Sequence, residues 1–247
     1  MRIAAIYDIH GNLPALEAVL EEIRLAQVDQ VVVGGDVIPG PMPREAFDAL
    51  LSLGVPTQFI YGNCEVAVLE QMAGRDPAGV PEPFRPIIRW TAGQVAEYGA
   101  VMEAWPKTIT VGVPGLGTVL FCHGTPRNEN EAFTRLTPED RLRPIFEGAA
   151  ADVIVCGHTH MQFDRMVGGR RVVNAGSVGM PFGKPGAYWL LLGSGVQLRR
   201  TPYDLAKAAD RIRETDYPGA AEFAAKNVLE PPTEAAMLEV FARAEAK

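Results

Sequence analysis

Each of the four histidines in this 247-residue chain stands in a short phrase suited to holding a metal ion. The phrases are Asp8-Ile9-His10-Gly11-Asn12, Cys122-His123-Gly124 and Gly157-His158-Thr159-His160. Gly34-Gly35-Asp36 and Gly62-Asn63 add a carboxylate and an amide to the imidazoles. Mixed imidazole and carboxylate donors suit first-row divalent ions such as manganese, iron, zinc or cobalt, whereas magnesium favours oxygen throughout. Together they form the inventory of a two-metal hydrolytic site. In such a site ions about 3.5–4 Å apart acidify a shared water and clamp a phosphate for in-line attack.

Phrases so far apart meet only on a rigid frame. Arg2–Tyr7 is an apolar run ending at Asp8 and reads as a strand. Gln30–Val33 and Gln58–Tyr61 are two more, ending at Gly34-Gly35-Asp36 and Gly62-Asn63-Cys64-Glu65. Asn12 precedes Leu13-Pro14 as a helix N-cap, and Leu13, Leu16, Leu20 and Ile23 then keep helical spacing on one face. A second helix is predicted over Arg44–Leu53. Strand, helix, strand, helix, strand implies right-handed crossovers and a largely parallel sheet, with ligands gathered at the carboxyl ends of its strands. Asp8, Asp36 and Asn63 each follow such an end, so their placement says more than their residue types.

The second half reads as hairpins. Thr108–Val113 and Thr118–Phe121 flank Gly115-Leu116-Gly117 and lead to Cys122-His123, while Val153–Cys156 leads to Gly157-His158. Phe163–Val167 and Arg170–Val173 flank Gly168-Gly169, and Ala187–Leu192 and Val196–Arg199 flank Gly193-Ser194-Gly195. These antiparallel pairs suggest a second sheet packed on the first. Gly74–Pro86 carries four prolines among small and charged residues and reads as an excursion, followed by helices over Trp90–Tyr98 and Val101–Trp105. Residues 66–106 are therefore expected as an insertion able to cover the site. From Pro202 the pattern turns to alanine, glutamate and lysine, with helices over Tyr203–Arg213, Gly219–Lys226 and Thr233–Ala246. This tail either docks on the core or makes a dimer contact.

With 47% hydrophobic residues the chain can bury a substantial core as one main domain. A net charge of -7 argues against a general nucleic-acid binder, which would carry a basic stripe. The odd number of cysteines, Cys64, Cys122 and Cys156, with no close pair, fits a reducing intracellular setting. A strand at residues 2–7 leaves no place for a signal peptide, and no apolar run is long enough to span a bilayer. The expectation is a soluble cytoplasmic protein without a membrane partner.

Taken in order, Asp8-Ile9-His10, Gly35-Asp36, Gly62-Asn63, His123-Gly124 and Gly157-His158-Thr159-His160 resemble the ligand phrases of the calcineurin-like metallophosphoesterases. Asn174–Gly179 is similar to a later glycine-rich loop of small prokaryotic members. The resemblance implies an α/β fold, a two-sheet αββα sandwich with an inserted helical cover and a helical C-terminal tail. The metallophosphoesterase domain would span residues 1–200 and the helical extension residues 201–247. Two divalent transition-metal ions are implied, manganese foremost, with iron, zinc, cobalt or nickel as alternatives. Asp8, His10 and His160 would hold one ion, Asn63, His123 and His158 the other, and Asp36 would bridge both. Phosphoesters would be hydrolysed by in-line attack of a metal-bridging hydroxide, with nearby donors stabilising charge on the equatorial oxygens.

At residue 64 the chain departs from the common pattern. Many members have a histidine after the Gly-Asn, which orients phosphate or protonates the leaving group, and here that residue is Cys64. Cysteine at this place also occurs in a branch of small prokaryotic phosphodiesterases, so a small phosphodiester substrate is expected. The alternatives are a phosphomonoesterase, a protein serine/threonine phosphatase and, from another class, a non-catalytic scaffold on the same fold. Cys64 is the candidate catalytic donor, although a thiol of reference pKa about 8.5 is a poorer acid than imidazole. Glu65 is expected to orient a neighbour rather than bind metal. Arg127 is a candidate phosphate clamp because guanidinium engages two oxygens at once, and equally a solvated loop arginine. Asn12 is a candidate substrate contact beside its helix-cap role. Trp90, Tyr98 and Trp105 read as the core of a helix pair, and Cys122 and Cys156 as packing residues.

Overall fold

The computed structural model describes residues 1–77 and 79–245. In chain order the elements begin with β1 (Ile3–Ile6), α1 (Leu13–Ala26), β2 (Gln30–Val33), α2 (Pro43–Leu51), β3 (Thr57–Phe59) and α3 (Asn63–Met72). There follow α4 (Arg85–Gln94), α5 (Gly99–Glu103), β4 (Thr108–Val113), β5 (Gly117–Cys122), α6 (Glu139–Phe146) and β6 (Val153–Cys156). The chain continues through β7 (Phe163–Val167), β8 (Arg170–Asn174), β9 (Ala187–Leu192), β10 (Val196–Thr201), α7 (Leu205–Arg213), α8 (Ala220–Phe223) and α9 (Glu234–Glu245). The sequence places the end of the last helix at Ala246, which lies outside the described residues.

β1 explains the layering. Its side chains alternate between faces, and both faces are apolar, as in strands covered on two sides. Ile3, Ala5 and Tyr7 join Val32, Val119, Phe121, Val153 and Val155 in a core between two sheets. Ala4 and Ile6 face the opposite way, into a core with Leu16, Val19 and Phe47 from α1 and α2. On the far side of the second sheet, Ile154 and Val172 pack on Leu142 and Phe146 of α6. The result is four layers, helices on sheet on sheet on helix, with Tyr7 Oη donating to Val155 O at 3.2 Å across the inter-sheet core.

Both sheets have five strands, ordered β10-β9-β1-β2-β3 and β4-β5-β6-β8-β7. β1, β2 and β3 are parallel, with Ile3 opposite Gln30 and Val31 opposite Thr57. In the second sheet β5, β6 and β8 are parallel and run directly into His123, Gly157 and Ala175. The predicted hairpin of β9 and β10 forms, but it extends the first sheet, with β9 antiparallel to β1. Buried Trp189 and Leu191 on one face and Leu190 and Leu192 on the other suit β9 to a strand covered on both sides.

Two helices were not legible in the sequence. α3 begins at Asn63, inside a phrase read as a ligand loop, because its N-cap Gly62 has no side chain to announce it. α6 is short and contains Pro144, which obscures its periodicity. The aromatics of residues 66–106 pack on the preceding elements rather than only on each other, with Tyr98 stacked on Phe47 of α2 at 4.7 Å and Trp105 on Phe59 of β3 at 4.8 Å. The tail reaches the same region, where the Trp90 and Tyr217 rings meet edge to face at 5.3 Å. Among the described residues no helix is long and apolar enough to cross a membrane.

Candidate metal centre

The backbone marks the site before the side chains do. Among the described residues six non-glycine residues have positive φ, and five of them are Asp8, His10, Asp36, His158 and His160, at 53°, 47°, 52°, 65° and 57°. Asp and His tolerate this region better than most residues, yet each still costs of order 1–3 kcal/mol. Such conformations persist where the surroundings over-determine them. Here they turn three chain segments sharply at strand ends, so that their donors face one point.

Asp8 Oδ1 lies 3.3 Å from His160 Nε2 and 3.8 Å from His123 Nε2. His10 Nε2 is 3.2 Å from His160 Nε2. Asp36 Oδ2 stands between the groups, 3.4 Å from His123 Nε2 and 3.9 Å from His10 Nε2. Asn63 Oδ1 approaches His123 Nε2 at 3.1 Å, and the His123 and His158 rings meet at 5.2 Å. Three donor sets result, each with ligand atoms within 4.8 Å of one another: Asp8, His10 and His160; Asp36, His123 and His158; and His10, Asp36 and Cys64. All seven sequence-predicted metal donors are thus brought together.

These residues fit divalent cations on chemical grounds. Asp8 Oδ1 and His10 Nδ1 are buried with no hydrogen-bond partner, an expense that protein interiors rarely leave uncompensated. Two imidazole nitrogens at 3.2 Å share at most one proton, so at least one lone pair faces the same space as the orphaned carboxylate oxygen. A cation satisfies that carboxylate oxygen and the facing imidazole lone pair together.

The surrounding shell fixes which nitrogen is offered. His123 Nδ1 is 2.8 Å from Gly34 O, and His160 Nδ1 is 2.7 Å from Met180 O. A carbonyl only accepts, so each Nδ1 carries a proton and each Nε2 is the nitrogen turned toward the site, able to ligate once it is deprotonated. Ser177 Oγ donates to Asp8 O at 2.7 Å and accepts from Met180 N at 2.8 Å, tying the glycine-rich loop to the first ligand loop. Glycine is required where the carboxylates press on backbone. A Cβ on Gly62 would lie 2.2 Å from Asp36 Oδ1, and one on Gly157 would lie 2.5 Å from Asp8 Oδ2.

Glu65 has the orienting role expected of it. It is fully buried, and Oε2 accepts from Asp36 N at 2.8 Å and Gly62 N at 2.7 Å, while Oε1 accepts from Val37 N at 2.8 Å and Ile38 N at 3.4 Å. Burial, together with the Asp36 charge, pushes its carboxyl up to about 7, against the pull of the N–H donors. A proton on either oxygen would face N–H groups, so the ionised form is the one this geometry fits. Burial works against the Asp36 charge too, but His123 above all outweighs it and holds that carboxyl well below the usual range. Burial likewise opposes a charge on His123, and Asp36 and Asp8 overcome it, holding the imidazole up to about 10. His10 goes the other way, lowered to about 4 by burial and by His160.

The remaining candidates separate. Cys64 lines the cavity over the site; its N–H donates to Asp36 Oδ1 at 2.9 Å, and burial followed by the Asp36 charge pushes its thiol well up, so it stays protonated. Asn12 corrects the sequence reading. It is fully buried, its Oδ1 accepts from Ala15 N at 3.3 Å as a helix cap, and its Nδ2 donates to Gly179 O at 2.9 Å and Tyr203 Oη at 3.4 Å, so no polar atom is left for a substrate. Arg127 is turned away as well. Its exposed guanidinium pairs with Glu131, which also accepts from Thr125 Oγ1 at 2.7 Å, so the phosphate clamp is not formed.

Above the donors opens a cavity of about 700 Å³ whose lining includes His10, Asn63 and Cys64. Met180, Tyr217 and Phe223 also line it, and sequence reading missed them because isolated apolar residues carry no local signal of a shared wall.

The profile of the calcineurin-like phosphoesterase superfamily domain matches residues 1–193. An uncharacterized protein of Methanocaldococcus jannaschii, MJ0912, is 27% identical over 238 residues, covering 87% of this chain and 93% of that protein. The crystal structure of a metallophosphoesterase from Sphaerobacter thermophilus superposes with a TM-score of 0.72 at 27% identity, covering 92% of this chain and 99% of that one. The hypothetical protein PH1004 from Pyrococcus horikoshii OT3 shares the fold at a TM-score of 0.76 and 19% identity, over 90% of this chain and 97% of that one.

Proposed function

This chain belongs to the calcineurin-like phosphoesterase superfamily and is a metal-dependent phosphoesterase, and from that premise we propose that it hydrolyses small phosphodiesters at a pair of divalent ions, manganese foremost. The observation that carries the reading is the position of Asp36 Oδ2, which stands between the His10 side and the His123 side of one donor cluster. Asp8, His10 and His160 would hold one ion, Asn63, His123 and His158 the other, with Asp36 shared. When bound, such a pair supplies a water acidified toward neutrality and positive charge against the phosphate oxygens.

The protein's own groups do the rest. Gly34 O and Met180 O keep the two Nε2 atoms aimed inward, and Glu65 holds the backbone of Asp36 and Gly62 in place. The protonated thiol of Cys64 is the group beside Asp36 that has a proton to offer a leaving oxygen. Charge supports a diester over a monoester. Among the described residues lining the cavity Lys226 is the one cationic side chain, against Glu70 and Glu222, which suits a monoanion better than a dianion. A reducing cytoplasm is the proposed setting, supported by three free cysteines.

The test is hydrolysis of bis(4-nitrophenyl) phosphate and 4-nitrophenyl phosphate by manganese-loaded protein. The diester is expected to turn over faster, with activity lost in Asp36→Asn. A wild-type protein that binds manganese and hydrolyses neither ester overturns the proposal, and a preference for the monoester replaces diesterase by monoesterase.

A further inference from the structure

The cavity above the donor cluster is larger than a phosphate needs. At about 700 Å³ it lies in the range of sites that enclose whole small molecules, roughly 300–1,000 Å³. His10, Asn63 and Cys64 place it next to the reacting position. Its walls come from two other parts of the chain: Phe84 and Ile87 from the insertion, and Tyr217 and Phe223 from the tail. The tail residues lie beyond the stretch of chain, residues 1–193, that matches the superfamily profile. Trp90 of α4 packs edge to face on Tyr217 at 5.3 Å, so the two walls support each other.

The chemistry of these walls selects among ester arms. Aromatic and aliphatic side chains offer dispersion contacts and nothing for a charged group to bind. The charged residues of the lining are Glu70, Glu222 and Lys226, one cation against two carboxylates, so a second phosphate or a carboxylate on the arm meets no net positive charge there. A neutral apolar arm loses water on entry and needs no such charge.

We propose that this cavity is a specificity subsite that takes an uncharged, apolar ester arm of the substrate, an alkyl chain or an aryl ring, while the phosphate lies over Asp36 and the histidines. The inference rests on the reading of the centre as a phosphodiesterase site. It assigns the insertion and the tail a shared role, since neither wall encloses the arm alone.

The experiment compares 4-nitrophenyl phosphodiesters that share a leaving group and differ in the other arm: methyl, hexyl, phenyl and 5-carboxypentyl. Hexyl is expected to exceed methyl in kcat/KM by about 10²- to 10³-fold, because each of five further methylenes contributes up to about a fourfold gain when buried. The carboxyl-terminated arm should lose most of that gain, and a comparable gain for phenyl would show that the wall accepts rings as well as chains. Phe84→Ala, a change at an exposed position that spares the core, should lower the hexyl-to-methyl ratio about 3- to 10-fold. Equal rates for methyl and hexyl, or a preference for the carboxylate arm, overturn the subsite. Calorimetric binding of hexylphosphonate against methylphosphonate, whose C–P bonds are not cleaved, separates the two claims. If no ester is hydrolysed but hexylphosphonate still binds at least tenfold tighter, the phosphodiesterase reading fails and the subsite stands.

Discussion

Replacing Glu65 by glutamine leaves every metal donor in place and removes one acceptor oxygen from beneath them. The new amide must choose which oxygen to keep. Keeping the position of Oε2 preserves the bonds from Asp36 N at 2.8 Å and Gly62 N at 2.7 Å. The amino group then faces Val37 N and Ile38 N, whose bonds to Oε1 are 2.8 Å and 3.4 Å. The short bond is lost outright and the long one counts for less. Buried donors left without acceptors cost about 1–3 kcal/mol each, and the two bonds that survive lose their charge assistance. Relief of repulsion with Asp36 works the other way, which leaves a net destabilisation of about 2–4 kcal/mol. Urea denaturation of metal-free wild type and Glu65→Gln measures it, with an unchanged m-value showing that the same transition is compared. Because Glu65 positions Asp36 and the start of α3, manganese affinity should also fall about 10- to 100-fold, as for other losses behind a metal ligand. A variant within about 0.5 kcal/mol of wild type, and with unchanged manganese affinity, would refute the reasoning.

Three further outcomes are expected. Cys64→Ala should lower turnover of an alkyl diester about 10- to 100-fold while sparing the activated nitrophenyl leaving group, which needs no proton; an equal effect on both substrates would remove the donor role. At pH 7 metal-free His123, held up to about 10 by Asp36 and Asp8 against burial, carries a proton that must leave when its lone pair is used. Manganese binding should therefore release protons and tighten as pH rises from 6 to 9, and calorimetry in buffers of different ionisation heat that finds no release would contradict this. Asn12→Ala should cost about 1–3 kcal/mol, through the lost cap of α1 and the unpaired Gly179 carbonyl, yet leave kcat/KM within about threefold of wild type below its Tm. A hundredfold loss of kcat/KM in folded protein would restore Asn12 as a substrate contact.

The strand-end donors were legible because their signals are local. A short apolar run that gives way to a carboxylate or an imidazole reads as a strand delivering a side chain, and β1, β2, β5 and β6 all do so. What lay hidden depends on contacts distant in sequence. Nothing near Glu65 shows that four N–H groups from two loops converge on it, and nothing in Asn63-Cys64-Glu65 separates a ligand loop from the first turn of α3. Asn12 has a residue type that suits a phosphate, but the partners that occupy it, Gly179 and Tyr203, lie far along the chain, whereas Arg127 is taken by Glu131 only four residues on, in a loop with no regular spacing to announce the pair. The cavity walls are the extreme case. Phe84 and Tyr217 come to line one cavity only after a proline-rich excursion and the tail have folded onto the core.

The central claim is that Asp36 joins two ions in one cluster, and anomalous diffraction at the manganese edge from crystals grown with manganese tests it most directly. Two peaks about 3.5–4 Å apart are expected, one against Asp8, His10 and His160, the other against Asn63, His123 and His158, with Asp36 Oδ2 reaching both. A single peak, or two peaks that Asp36 does not bridge, would contradict it.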